Sequence, residues 1–239
     1  MLKNIVRVLV LVLFLVGLSS NAYAAYKNGD LQVWNIDVEE IKLVKKIKIA
    51  LEEEFHWSNT NQGSKFCYQH YDAGLLYDVN KYLSIGGGYR QIFEYFSTGN
   101  PKLTRFNNRF LPDYCPYIVG ILSGDLYGFS FTDRNRLEYN NFDHKTDYWR
   151  YRNKLTIKTP WKFTRFEIQP YISDEAFVVF SGVPSDINQN RFQTGIGTGL
   201  TKNMKLELYY MRQSVKLSVK NPDKWLNANV LGFTFKVNF

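Results

Sequence analysis

Three histidines, His56, His70 and His144, are the side chains of this sequence best able to exchange a proton near neutral pH. His56 stands two residues after Glu54, His70 two before Asp72, and His144 directly follows Asp143 with Asp147 close behind. On a β-strand, residues two apart share a face, so each of the first two histidines projects beside a carboxylate. That pairing suits proton transfer. A hydrolase or acyltransferase also needs a nucleophile held against such a base. No serine or cysteine nucleophile motif accompanies the histidines, and no G-x-S-x-G is present. No catalytic residue is therefore assigned, and a histidine–carboxylate enzyme site at the rim stands as the alternative reading. Cys67 and Cys115 are free to pair or not in an exported chain, and no metal-ligand spacing surrounds them, so no metal site is expected. Gly86-Gly87-Gly88 sits inside a strand rather than before a helix, which reads as a bend or a close approach and not a phosphate loop. No cofactor is expected.

The elements that hold these residues are strands. From Leu231 to Phe239 the chain alternates strictly: Leu231, Phe233, Phe235, Val237 and Phe239 are apolar, with Gly232, Thr234, Lys236 and Asn238 between them. One face of that strand is fully apolar and the other wettable. Gly232, Phe235, Val237 and Phe239 match the assembly signal of outer-membrane barrels, in which the last strand closes the sheet and meets lipid. The same alternation sets Leu206, Leu208 and Tyr210 against Lys205 and Glu207, and Trp149, Tyr151, Leu155 and Ile157 against Arg150, Arg152 and Lys154. A helix would need apolar residues three and four apart, and that spacing does not fit.

The other end is consistent with export. Residues 1–24 carry Lys3 and Arg7, an apolar run from Val8 to Leu18 and an Ala22-Tyr23-Ala24 cleavage site, the pattern of a secretory signal peptide. Removing it takes two of 30 basic residues, leaving 28 against 22 acidic ones, a net charge of +6. Mean hydropathy is -0.32 and no long apolar segment follows, which excludes a helical membrane protein. A β-barrel remains, because half of its strand residues face the lumen. The 17 Tyr, 18 Phe and 5 Trp suit the aromatic girdles of such a barrel. Basic residues alternate with acidic ones along the strands and form no one-signed stripe, so nucleic acid is not an expected partner.

Strands are expected at residues 47–57, 66–79, 82–96, 109–122, 127–139, 148–158, 167–180, 191–200, 204–213 and 229–239. The expected fold is all-β: a transmembrane, antiparallel, up-and-down barrel of about ten strands, with ten to twelve possible from the pattern. Residues 46–239 form the barrel, and residues 25–45 a short strand or periplasmic lead-in, with Leu31 to Val44 a candidate eleventh strand that breaks the even count. With the C-terminus in the periplasm, short turns fall near Asp78–Lys81, Ser123-Gly124-Asp125, Thr159–Arg165 and Thr201-Lys202-Asn203, and longer loops face outside. Turning the apolar faces outward directs Arg134, Arg136, Glu138, Arg150, Arg152, Glu167, Glu175 and Arg191 into the lumen as a charge network. In a barrel this narrow such a network plugs and stiffens the interior, or lines a slot for a small solute. Inward glycines, among them Gly88 and Gly195, leave room for arginines across the lumen or line a cavity.

Several segments resemble one family. They are Phe131 to Tyr139, Tyr148 to Leu155, Gln169 to Phe177, and Asn190-Arg191-Phe192 with Gly195 and Gly197. They are similar to the uncharacterised bacterial outer-membrane barrels of domain-of-unknown-function family 2490. The resemblance covers essentially the mature chain and is strongest from Asp125 to Phe239. It implies a barrel in the outer membrane of a Gram-negative bacterium and no activity. The expected role is structural, or porin-like binding and transport of a small solute through a charged, largely filled lumen. The expected partners are outer-membrane lipid and lipopolysaccharide, the barrel-assembly machinery and periplasmic chaperones, with the protein itself a monomer.

Overall fold

The computed structural model of the chain describes residues 28–60, 63–96, 109–142, 146–180, 186–218 and 221–239. The signal-peptide reading of residues 1–24 and His144 lie outside the described residues. Eleven strands follow one another: β1 (Asp30–Val44), β2 (Ile47–Thr60), β3 (Gly63–Asp78), β4 (Leu83–Phe96), β5 (Arg109–Leu126), β6 (Phe129–Phe142), β7 (Tyr148–Lys158), β8 (Gln169–Phe180), β9 (Asp186–Gly199), β10 (Met204–Ser218) and β11 (Asn221–Asn238). Each pairs with its sequence neighbours, and β1 pairs with β11 to close the barrel.

This corrects the expected even, wholly antiparallel meander. An up-and-down meander with an odd strand count leaves its first and last strands running the same way, so closure needs a parallel ladder. The ladder runs in register from Asp30↔Ala228 to Glu40↔Asn238. The segment left open as a short strand or lead-in is a 15-residue strand of the barrel wall. Its pairing leaves neither end strand as an open edge. The seam is held to its last residue: the Phe239 amide donates to the Glu40 carbonyl at 2.9 Å, and the Lys42 amide donates to the Phe239 carbonyl at 3.1 Å.

Two turns also differ from expectation. Ser123, Gly124 and Asp125 continue β5 and pair with Thr132, Phe131 and Ser130, so the hairpin turns at Tyr127-Gly128 instead. Both residues have positive φ, 52° and 82°, the geometry a two-residue hairpin with right-handed strand twist demands. Residues 159–168 form a turn closed by a Phe163↔Ile168 bridge, and β8 begins only at Gln169.

Alternation sorts the side chains as the strand pattern requires. Leu75, Ile85, Ile118, Leu122, Ile172, Ile196, Leu208 and Leu231 face outward and are exposed. On β6 to β9 the outward apolar surface is interrupted by polar groups that satisfy one another. Asn153 donates to Asp133 at 2.6 Å and to Asn135 at 3.0 Å, and Asn190 donates to Asp174 at 3.0 Å. Inside, Trp34, Tyr171, Tyr209, Met211 and Val230 pack together beside the seam, and Leu76, Tyr117 and Val119 form a second cluster.

Glycines make room for these rings. A β-carbon at Gly232 would overlap the Tyr209 ring, and one at Gly195 would stand 2.9 Å from Tyr171. At Gly88 it would stand 2.5 Å from the Tyr117 hydroxyl. The space beside Gly88 and Gly195 thus belongs to tyrosines on adjacent strands, not to arginines from across the lumen.

Candidate functional site

Charged residues from seven of the eight consecutive strands β2 to β9, joined by Tyr117 from β5, meet in the middle of the lumen. Glu138 on β6 is fully buried and lies at the centre. Arg150 reaches it at 2.6 Å, Arg152 at 2.9 Å, Arg90 at 3.6 Å and Arg136 at 3.8 Å. On one side Arg152 bridges on to Glu175 at 2.9 Å, which also receives Arg134 at 3.2 Å and lies 3.8 Å from Arg191. On the other, Arg90 and Arg136 share Asp72 at 3.1 and 3.0 Å, and the Tyr117 hydroxyl donates to the same carboxylate. Guanidinium forks suit this work, because each presents several donors in a fixed plane to more than one carboxylate.

Seven of the eight residues expected in the lumen network are brought together this way. Glu167 is the exception. It sits in the turn before β8 at φ 49°, exposed, with Lys162 as its ion-pair partner at 2.8 Å. Its place in the polar–apolar alternation gave no sign of the turn, because Thr164 and Glu167 both leave the extended region of backbone space. Three residues outside that set, Glu52, Asp72 and Arg90, belong to the network. All three alternate inward in the sequence, but only the register Glu52↔Asp72 and Asp72↔Arg90 shows that they touch the others.

Above the network, toward the end where the longer loops lie, the lumen holds a cavity of about 180 Å³. Its lining mixes both signs, with Arg90 on β4 among the carboxylates. Glu54, Glu94 and Asp113 line it from β2, β4 and β5, and Arg150, Arg152 and Arg191 from β7 and β9. A stack of rings crosses the wall beside it. His56 lies between Trp34, with centroids 3.6 Å apart and planes 8° from parallel, and Tyr68 at 4.3 Å. Arg191 covers the Trp34 ring at 4.7 Å and the Phe177 ring at 5.0 Å. Trp34 was missed as a site residue because nothing in the sequence fixes β1 against both β2 and β11.

His56 and His70 do lie inward on adjacent strands, as expected. The His56 imidazole contacts Glu54, and His70 takes Glu52 at 3.0 Å and Tyr68 at 3.0 Å. The hydroxyl of Ser58 donates instead to Asp30. Asp147, expected beside His144 in an acidic loop, bonds back to the end of β6. It accepts from the Phe142 amide at 2.9 Å, the Tyr139 hydroxyl at 3.0 Å and Asn141 at 2.8 Å. Those donors, the Phe142 amide first, hold its carboxyl below the usual carboxylate range. Cys67 and Cys115 are both buried free thiols. They stand on β3 and β5 with β4 between, so their backbones are about 9–10 Å apart at least, beyond the reach of a disulfide.

No curated protein and no solved structure matches the chain. A family model described as "Protein of unknown function (DUF2490)" matches residues 31–223, from the start of β1 into β11, and the chain belongs to that family.

Proposed function

We propose that this is a bacterial outer-membrane β-barrel, closed to free flow, whose cavity at the loop end binds a small polar solute. The observation that carries the reading is the buried arginine–carboxylate network around Glu138 that bridges the lumen from β2 to β9. Closed barrels satisfy every backbone group without water and so suit a membrane, and the outward Leu, Ile, Phe and Tyr residues supply the apolar surface. The carboxylates and guanidiniums that line the cavity together favour a solute that bears both signs. The outward Asp133 and Asp174 on β6 and β8 oppose insertion, and their hydrogen bonds from Asn153 and Asn190 offset part of that cost. The alternative of a hydrolase or acyltransferase gains no support: among the contacts described neither imidazole meets a serine or cysteine nucleophile, and the Ser58 hydroxyl donates to Asp30.

Planar-bilayer recording tests the closed lumen. The purified, folded protein is expected to insert without producing steady ohmic conductance in molar KCl. Stable, salt-proportional current steps from the native protein would show an open pore and overturn the plug.

A further inference from the structure

Glu54 differs from the carboxylates of the central network and from Glu207. Glu138, Glu175, Asp72 and Glu207 each face a guanidinium or ammonium within about 3 Å. Glu54 is 6% exposed, and among the described residues its ion-pair partners are the imidazoles of His56 and His70, the latter at 3.9 Å. Glu52, its neighbour on the same face, contacts the other nitrogen of His70 at 3.0 Å. Its guanidinium partner is Arg90 at 3.5 Å, whose shorter contact is to Asp72. A buried carboxylate needs a cation beside it, and an imidazole serves only when protonated.

The donor atoms of Glu52, Glu54 and His70 all lie within 4.8 Å of one another. His56 stands beside them with its ring clamped between Trp34 and Tyr68, and Glu54, His56 and His70 all line the cavity. Imidazole nitrogens mixed with carboxylate oxygens are the ligand set of zinc-class cations, and such an ion compensates both carboxylates with the imidazoles neutral. We propose that Glu52, Glu54 and His70, with His56 adjoining, bind one divalent transition-metal ion reached through the loop-end cavity. The sequence showed no ligand spacing because the donors come from two paired strands, brought level by the register Glu54↔His70.

Cobalt(II) is the probe. Folded barrel in detergent, stripped with chelator, is titrated with Co²⁺ while its visible absorption is followed. The expected result is one ion per chain, a visible ligand-field band, and displacement by Zn²⁺. Loss of a supporting partner alone commonly weakens a metal site 10–100-fold, so Glu54→Gln and His70→Gln are each expected to weaken binding by about 100-fold or more. His144→Ala, a control for casual binding by a loop histidine, is expected to leave the titration unchanged. Heat-modifiable gel mobility reports whether each variant is folded, and the wild-type spectrum stands without them. Absence of a stoichiometric band in the folded wild type would overturn the site, as would a titration abolished by His144→Ala or retained in both folded ligand variants. Conductance is a separate readout, so a conducting barrel that still binds Co²⁺ would sink the plug and leave the metal site standing.

Discussion

Glu138→Ala is expected to destabilise the folded barrel by about 3–5 kcal/mol, the cost of stripping one partner from a buried ionic cluster. Four guanidiniums, those of Arg90, Arg136, Arg150 and Arg152, lie within 4 Å of this carboxylate. Removing it leaves Arg150, half-buried in the cavity lining, with no other carboxylate partner among the contacts described. Glu138→Gln keeps the shape and one acceptor oxygen but loses the charge, so it is expected to fall between alanine and wild type. The measurement is denaturant unfolding of the refolded protein in detergent, followed by tryptophan fluorescence and by the heat-shifted gel band. A change for Glu138→Ala within the roughly 0.5 kcal/mol of an ordinary surface substitution would show that the network does not hold the barrel.

The second large effect is steric. Gly232 pairs with Tyr209 on β10 and Trp34 on β1, and the Tyr209 ring lies over it on the inward face. Gly232→Ala forces the ring, or one of the two seam strands, to move, and is expected to cost about 1–3 kcal/mol, the range for overpacking a filled interior. Trimming the ring relieves the clash, so Gly232→Ala combined with Tyr209→Leu is expected to be less harmful than the two single effects summed. A coupling of about 0.5–3 kcal/mol is usual for residues in contact. Gly232 also belongs to the expected assembly signal, and the double variant separates the two roles. If Gly232 served only as part of a recognition signal, Tyr209→Leu would rescue nothing.

How much of this was legible in the sequence depended on what each feature needed. Facing needs only alternation, and Arg150, Arg152 and Lys154 against Trp149, Tyr151 and Leu155 declared it plainly. Contact needs register. Asp72 and Arg136 are 64 residues apart and meet at 3.0 Å only because each intervening hairpin fixes its neighbour. Strand count needed β1, a candidate from its alternation, whose polar residues Asn35, Asp37 and Glu39 stand on the face where the neighbouring strands carry apolar ones, so its place in the wall was left open. Turns were read from composition, so the polar Ser123-Gly124-Asp125 was favoured over Tyr127-Gly128. The chain turns at the latter because two positive φ angles fall there, one of them on a tyrosine. The histidine group was visible as two inward pairs, His56 with Glu54 and His70 with Asp72. What the sequence hid is that His70 turns toward Glu52 and Tyr68.

The central claim is a closed barrel seated in an outer membrane, and gel mobility of the membrane fraction tests it most directly. Outer membranes from cells expressing the full chain are run with and without boiling. A band in the outer-membrane fraction is expected that migrates faster unboiled, as a compact barrel does, and shifts to the unfolded position on heating. Recovery of the protein in the soluble periplasm, with the same mobility before and after boiling, would contradict it.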